Sequence, residues 1–153
     1  MRFNTQGGQP SPLNCAVGLL SRRDHSQGEL QRKMRERGYS DDDIYAAITR
    51  CIELGYQDDG RFTELFIRYR SQRGLGPQRL RAALRERGVA SDLIEATLRH
   101  SDVDFFELCR ACRERKFGLL LPVNFKEQAK QQRYLAYRGF SMEMIRYAMS
   151  QGE

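Results

Sequence analysis

Arg35-Glu36-Arg37-Gly38 returns fifty residues later as Arg85-Glu86-Arg87-Gly88. Aligning the chain on these two glycines brings out a third copy at Arg138-Gly139. The three segments are ELQRKMRERGYSDDDIYAAITR, RLRAALRERGVASDLIEATLRH and KQQRYLAYRGFSMEMIRYAMSQ. With the glycine as zero, position −4 holds Met34, Leu84 and Leu135, and +1 holds Tyr39, Val89 and Phe140. Position +6 holds Ile44, Ile94 and Ile145, and +10 holds Ile48, Leu98 and Met149. Position −1 is Arg37, Arg87 or Arg138. The match lapses at −8, where Gln131 stands in place of Leu30 and Leu80. Chance does not return five matched positions in three copies at spacings of 50 and 51 residues. The chain reads as a tandem array of supersecondary units.

Each copy predicts helix, turn, helix. Apolar residues at −8 and −4 share one helical face. The glycine falls where a helix C-terminus calls for a left-handed residue, and the Arg before it suits the negative end of the dipole. Ser40 with Asp43, and Ser141 in the third copy, cap a second helix that turns +6 and +10 inward. Each pair has room upstream for another helix. The first spans roughly Leu13 to Arg23, with Val17 and Leu20 facing in, before a capping box of Ser26 and Glu29. The second spans Asp59 to Arg73, with Phe62, Leu65, Phe66 and Tyr69 at helical spacing, and is stopped by Gly74. Gly76-Pro77 then restarts the chain, with Pro in the first turn. The third spans about Asp104 to Lys116, with Phe105, Phe106, Leu108, Cys109 and Cys112, and Asn124 with Glu127 caps the next helix. No stretch alternates convincingly as a strand would.

The expected fold is all-α: three tandem three-helix repeats in an elongated, curved array. The expected divisions are an N-terminal disordered tail over 1–12, repeat 1 over 13–55, repeat 2 over 56–102 and repeat 3 over 103–153. Units of about fifty residues lie near the lower limit for independent stability, so neighbours should support each other.

No catalytic or metal constellation emerges. Cys109 and Cys112 form a CxxC, but in mid-helix beside Phe105, where core thiols are expected. A zinc site would need two more ligands. Asp41-Asp42-Asp43 and Asp58-Asp59 fall where carboxylates cap helices. Asp24-His25-Ser26 are adjacent and so cannot converge as a triad. The expectation is a protein with no enzymatic activity, no cofactor and no metal. No hydrophobic segment precedes Cys15 and no run reaches the ~20 apolar residues of a membrane span, so a cytoplasmic protein with reduced thiols is expected.

The charge is the remaining feature. The 153 residues carry a net charge of +6, with 22 Arg against 4 Lys. Arg offers a planar fork suited to phosphate and carboxylate. Arg22 and Arg23 close the first helix, and Arg68, Arg70 and Arg73, with Tyr69 among them, close the helix of the second copy. Arg79 and Arg81 come next. These eight are the candidate partner- or DNA-binding residues. Solvated helix ends would look the same, because dipoles favour cations there.

Read in order, four passages resemble the RecX family of bacterial regulatory proteins: AVGLLSRRDHSQGEL, then Gly55-Tyr56-Gln57-Asp58-Asp59-Gly60-Arg61-Phe62, then FIRYRSQRGLGPQRLRAAL, and finally QRYLAYRGFSMEMI. The resemblance runs from about Cys15 to Met149. Gln57 departs from it, standing where an apolar residue is usual. The resemblance implies three tandem three-helix repeats and a partner, the RecA recombinase in its filament on DNA. It implies restraint of filament growth, ATP hydrolysis, strand exchange and the SOS response. Some members bind DNA directly, so a protein that competes for single- or double-stranded DNA is the alternative. A monomer is expected.

Overall fold

The computed structural model describes residues 8–150. Most of the expected tail and the last three residues lie outside the described residues. Among the described residues nine helices succeed one another without a strand: α1 (Pro12–Arg22), α2 (Gln27–Glu36), α3 (Asp41–Glu53), α4 (Asp59–Gln72), α5 (Pro77–Glu86), α6 (Ser91–His100), α7 (Phe105–Phe117), α8 (Phe125–Tyr137) and α9 (Met142–Ser150). The all-α expectation and its threefold grouping are therefore correct. The chain divides into two compact units. The first reaches to Thr63 and takes in Arg85–Leu93; the second holds Glu64–Leu84 and everything from Ile94 onward.

In the first unit, Cys15, Ala16 and Leu19 of α1 meet Leu30 and Met34 of α2 and Ile44, Ala47, Ile48 and Cys51 of α3. Val17 and Leu20, expected to lead the inward face of α1, only flank this cluster. In the second unit, Cys109 and Cys112 pack with Leu135, Phe140, Ile145 and Ala148. All residues at −4 and +6 are buried in all three copies. Gln131 keeps the core position of its leucine counterparts, and its amide nitrogen donates to Glu127 at 3.1 Å.

Helix α4 departs from the expected phase. Its buried line is Thr63, Ile67 and Ser71, four residues apart, with Phe62 beside it, while Tyr69 points outward. Two of the three carry hydroxyls that hide from a hydrophobic reading. Each hydroxyl donates to its own helix backbone, Thr63 to Asp59 O at 2.7 Å and Ser71 to Arg68 O at 3.1 Å, so burial leaves no orphan. Gln57 is also buried. Its amide bridges His25 O at 3.2 Å and Asp59 Oδ1 at 2.8 Å, and that carboxylate accepts from Gln27 N at 2.9 Å. The departure from the family pattern is thus a brace between the α1–α2 connection and the start of α4.

The repeat glycines do two jobs. Gly38, Gly88 and Gly139 have φ of 91°, 79° and 103°, the left-handed region that only glycine enters cheaply. The second and third turns also seat against the start of the preceding repeat's middle helix. In the first unit, Ser26 Oγ donates to Arg87 O at 2.6 Å and Arg32 to Glu86 O at 2.9 Å. A Cβ on Gly28 would lie 2.5 Å from Arg87 O. In the second, Gly76 N and Gln78 N donate to Arg138 O and Gly139 O at 2.8 and 2.9 Å, and a Cβ on Gly76 would lie 2.5 Å from Gly139. In the second seat, carbonyls left over at the end of α8 thus meet backbone donors left over at the start of α5. The first turn meets the segment before α1 instead. There Gln9 donates to Arg37 O at 2.7 Å and Tyr39 donates to Pro10 O at 2.6 Å, filling the same place.

Ser26 is fully buried and works twice, since its hydroxyl also accepts from Glu29 N at 3.1 Å within a complete capping box. Ser26→Ala should cost about 2–3 kcal/mol, against about 1 kcal/mol for Ser40→Ala, which loses only a cap. Urea midpoints of the two variants measure the difference; equal losses would show that the bond to Arg87 contributes nothing.

Candidate functional site

The eight candidate residues part into spent and unspent cations. In the first unit, Arg23 pairs with Glu29 at 3.2 Å and donates to Asp24 O, whereas Arg22 is exposed and without a partner among the described residues. In the second, Arg79 donates to Tyr137 O at 2.8 Å with its guanidinium 5.0 Å over the Tyr137 ring. Arg81 pairs with Glu95 at 2.7 Å. Both therefore hold the scaffold together. Arg70 lies 4.5 Å over the ring of Phe66. Arg68 and the side chain of Arg73 are exposed and make no such contact among the described residues. Tyr69, in the last turn of α4, is 57% exposed, and Arg73 is the first residue beyond that helix.

Arg73 does not stand alone. Folding brings it to Arg115 and Lys116 of α7 and to Tyr134 and Arg138 at the end of α8, around Gly74 and Cys112. Together they line a cavity of about 150 Å³ without a carboxylate. Arg138 donates to Gly74 O at 3.2 Å and to Arg73 O at 2.6 Å, answering the last carbonyls of α4. Lys116 lies 5.5 Å over the Tyr134 ring. Arg110, Arg113, Arg115 and Lys116 crowd the C-terminal half of α7 in sequence. At 100° per residue they separate. Cys112, Arg115 and Lys116 share a face, Arg110 turns to Glu107 and Glu114, and Arg113 turns fully inward.

The residues weighed for chemistry are occupied otherwise. The thiol of Cys109 is pushed up to about 12 by burial and by its neighbour Cys112. Burial also raises Cys112, against the opposing pull of Arg115 and Arg138. Both stay protonated near neutral pH. Asp41 pairs with Arg35, Asp58 accepts from Arg61 N, and His25 is buried with its pKa lowered by that burial. Among the described residues no group of three or more His, Cys, Asp or Glu is placed to hold a metal ion.

The comparisons with known proteins agree with this architecture. Three family models match in order: the first three-helix domain of RecX over residues 13–51, the second over 58–98 and the third over 102–149. The regulatory protein RecX of Ectopseudomonas mendocina is 45% identical over 131 residues, covering 86% of this chain and 87% of its own. That of Vibrio campbellii is 41% identical over 140 residues, covering 92% and 90%. The crystal structure of RecX from Lactobacillus salivarius superposes with a TM-score of 0.79 at 20% identity, covering 92% of this chain and 93% of that one. At that identity the superposition speaks for the fold, and the sequence relatives speak for the family. The chain belongs to the RecX family of regulatory proteins.

Proposed function

We propose that the protein binds RecA and the groove of the RecA–DNA filament and limits filament extension, ATP hydrolysis and strand exchange, so modulating recombinational repair and the SOS response. It acts without catalysis or cofactor, as a cytoplasmic monomer with no membrane partner. Family membership carries this reading, since regulation of RecA is what the family name implies. The surface supports it: Arg22, Arg68 and Arg73 leave guanidinium groups free for carboxylates or phosphates. Weak contacts to several subunits would add up through effective concentration. The alternative, an Arg-rich protein that competes for DNA strands, draws support from the cation-lined cavity beside Arg73.

RecA ATP hydrolysis on single-stranded DNA decides between them. Inhibition by amounts too small to coat the DNA is the expected result. Inhibition that appears only at full coverage and fades with the salt dependence of DNA binding would leave the competitor reading. In the same assay, replacing both Arg68 and Arg73 by Ala should weaken inhibition with helicity unchanged by circular dichroism. Unchanged inhibition would remove α4 from the site.

A further inference from the structure

We infer that the cavity between the ends of α4 and α8 and the outer side of α7 is a phosphate site that takes one phosphodiester of a nucleic-acid strand, with Tyr69 beside it as a platform for a base. This deepens the proposed function and rests on a nucleic-acid strand being among the protein's partners.

Charge comes first. Arg73, Arg115, Lys116 and Arg138 come from three helices, and no carboxylate lines the cavity with them. Two other Arg of the same unit sit against carboxylates, Arg81 against Glu95 and Arg110 against Glu107 and Glu114, whereas the cations of the cavity are gathered together with none. A dipole explanation is used up by one residue. Arg138 already satisfies the carbonyls of Arg73 and Gly74, so the guanidinium of Arg73 is not needed there. Arg115 and Arg73 carry forks without a partner among the described residues, held near other cations by a rigid frame. Binding an anion relieves that repulsion and satisfies both forks at once.

Size and neighbours then narrow the anion. About 150 Å³ is half the lower end of small-molecule pockets, ~300 Å³, which suits a phosphate group and not a whole nucleotide. Tyr69, in the last turn of α4, precedes Arg73 by four residues and has 57% of its surface exposed. An exposed ring near a phosphate cradle is how sequence-tolerant strand binders hold a base. A free phosphate or a protein carboxylate would have no use for it.

The test measures binding of a fluorescein-labelled oligothymidylate to the full chain by anisotropy at several salt concentrations. Arg73→Gln and Arg115→Gln should each weaken binding about tenfold. Each should also lower the slope of log affinity against log salt by about 0.7, the loss of one single-strand phosphate contact. Tyr69→Ala should weaken binding and leave the slope alone. Arg99→Gln, on an exposed residue outside the cavity, should change neither. Unchanged affinity and slope in Arg115→Gln, with an unchanged melting temperature, would overturn the site. Competition by inorganic phosphate as effective per phosphate as by oligothymidylate would overturn its assignment to a strand. RecA ATP hydrolysis with the same variants keeps the two readings apart. If Arg115→Gln keeps its DNA slope but loses inhibition, the cavity takes a protein carboxylate; the phosphate site fails and the regulatory reading stands. If the wild type binds oligothymidylate through the cavity but never inhibits RecA, the regulatory reading fails and the site stands.

Discussion

Arg113→Ala should lower the melting temperature by on the order of 10 °C, whereas Arg115→Ala, two residues away, should leave it within a degree or two. Arg113 is fully buried. Its Nε donates to Ala148 O of α9 at 3.0 Å and its Nη1 to Gly118 O at 3.3 Å, while Glu114 lies 3.7 Å from Nη2. Ala148 stands among the last residues of α9, whose carbonyls lack a donor within the helix. One cation thus answers the end of α9 and the turn that closes α7. Alanine would leave the Ala148 carbonyl buried without its donor, at about 1–3 kcal/mol, would release the turn at Gly118, and would open a void as well. Removing one partner from a buried polar set costs about 3–5 kcal/mol in total. For a chain of this size each kcal/mol shifts melting by about 2–4 °C. Arg113→Met should restore packing but not the donors, and so melt between the two. Thermal unfolding followed by circular dichroism reads all three. A wild-type melting curve for Arg113→Ala would remove Arg113 from the frame of the third repeat.

The three repeat glycines should be unequal under the same substitution. Gly38→Ala meets nothing within 4 Å and should cost only the left-handed strain, about 1–2 kcal/mol. Gly139→Ala should cost about 3 kcal/mol or more. Its φ is 103°, and a Cβ there would lie 2.5 Å from Arg79 Cγ and 2.7 Å from Arg79 N, so the seat on α5 must shift as well as the turn. Gly88→Ala should fall between, with Gly28 Cα at 3.0 Å. Denaturant midpoints rank the three. Equal losses would mean that the turns end helices and do nothing more.

That ranking marks where the sequence was readable and where it was not. A left-handed glycine followed by an apolar residue and a cap is local chemistry, so the helices and their threefold grouping could be read from the sequence alone. The apolar positions at −4 and +6 needed only helical phase. What glycine touches is not local: Gly88 meets Gly28, and Gly139 meets Arg79. The candidate site failed in the same way. Arg79 and Arg81 looked free because their partners, Tyr137 and Glu95, lie 58 and 14 residues away. Arg138 read as a turn residue, and Arg115 carried no sequence signal that set it apart from its charged neighbours. Only folding brings both to Arg73. Helical phase alone could have separated Arg113 from Arg115, had Cys112 been used to set the inward direction.

The seats for the turns also govern how far this architecture can be extended. Helix α2 offers Gly28 in its first turn and α5 offers Gly76 just before its own, and each admits an incoming backbone. In the third copy the places at −10 and −12 from Gly139 carry Ala129 and Glu127, and α8 begins one turn earlier, at Phe125. The side chain of Asn124 is already committed to Glu127 N at 2.8 Å. A socket of the kind used twice before would need a glycine there. Adding one at the head of α8 would be the first step in designing a longer array.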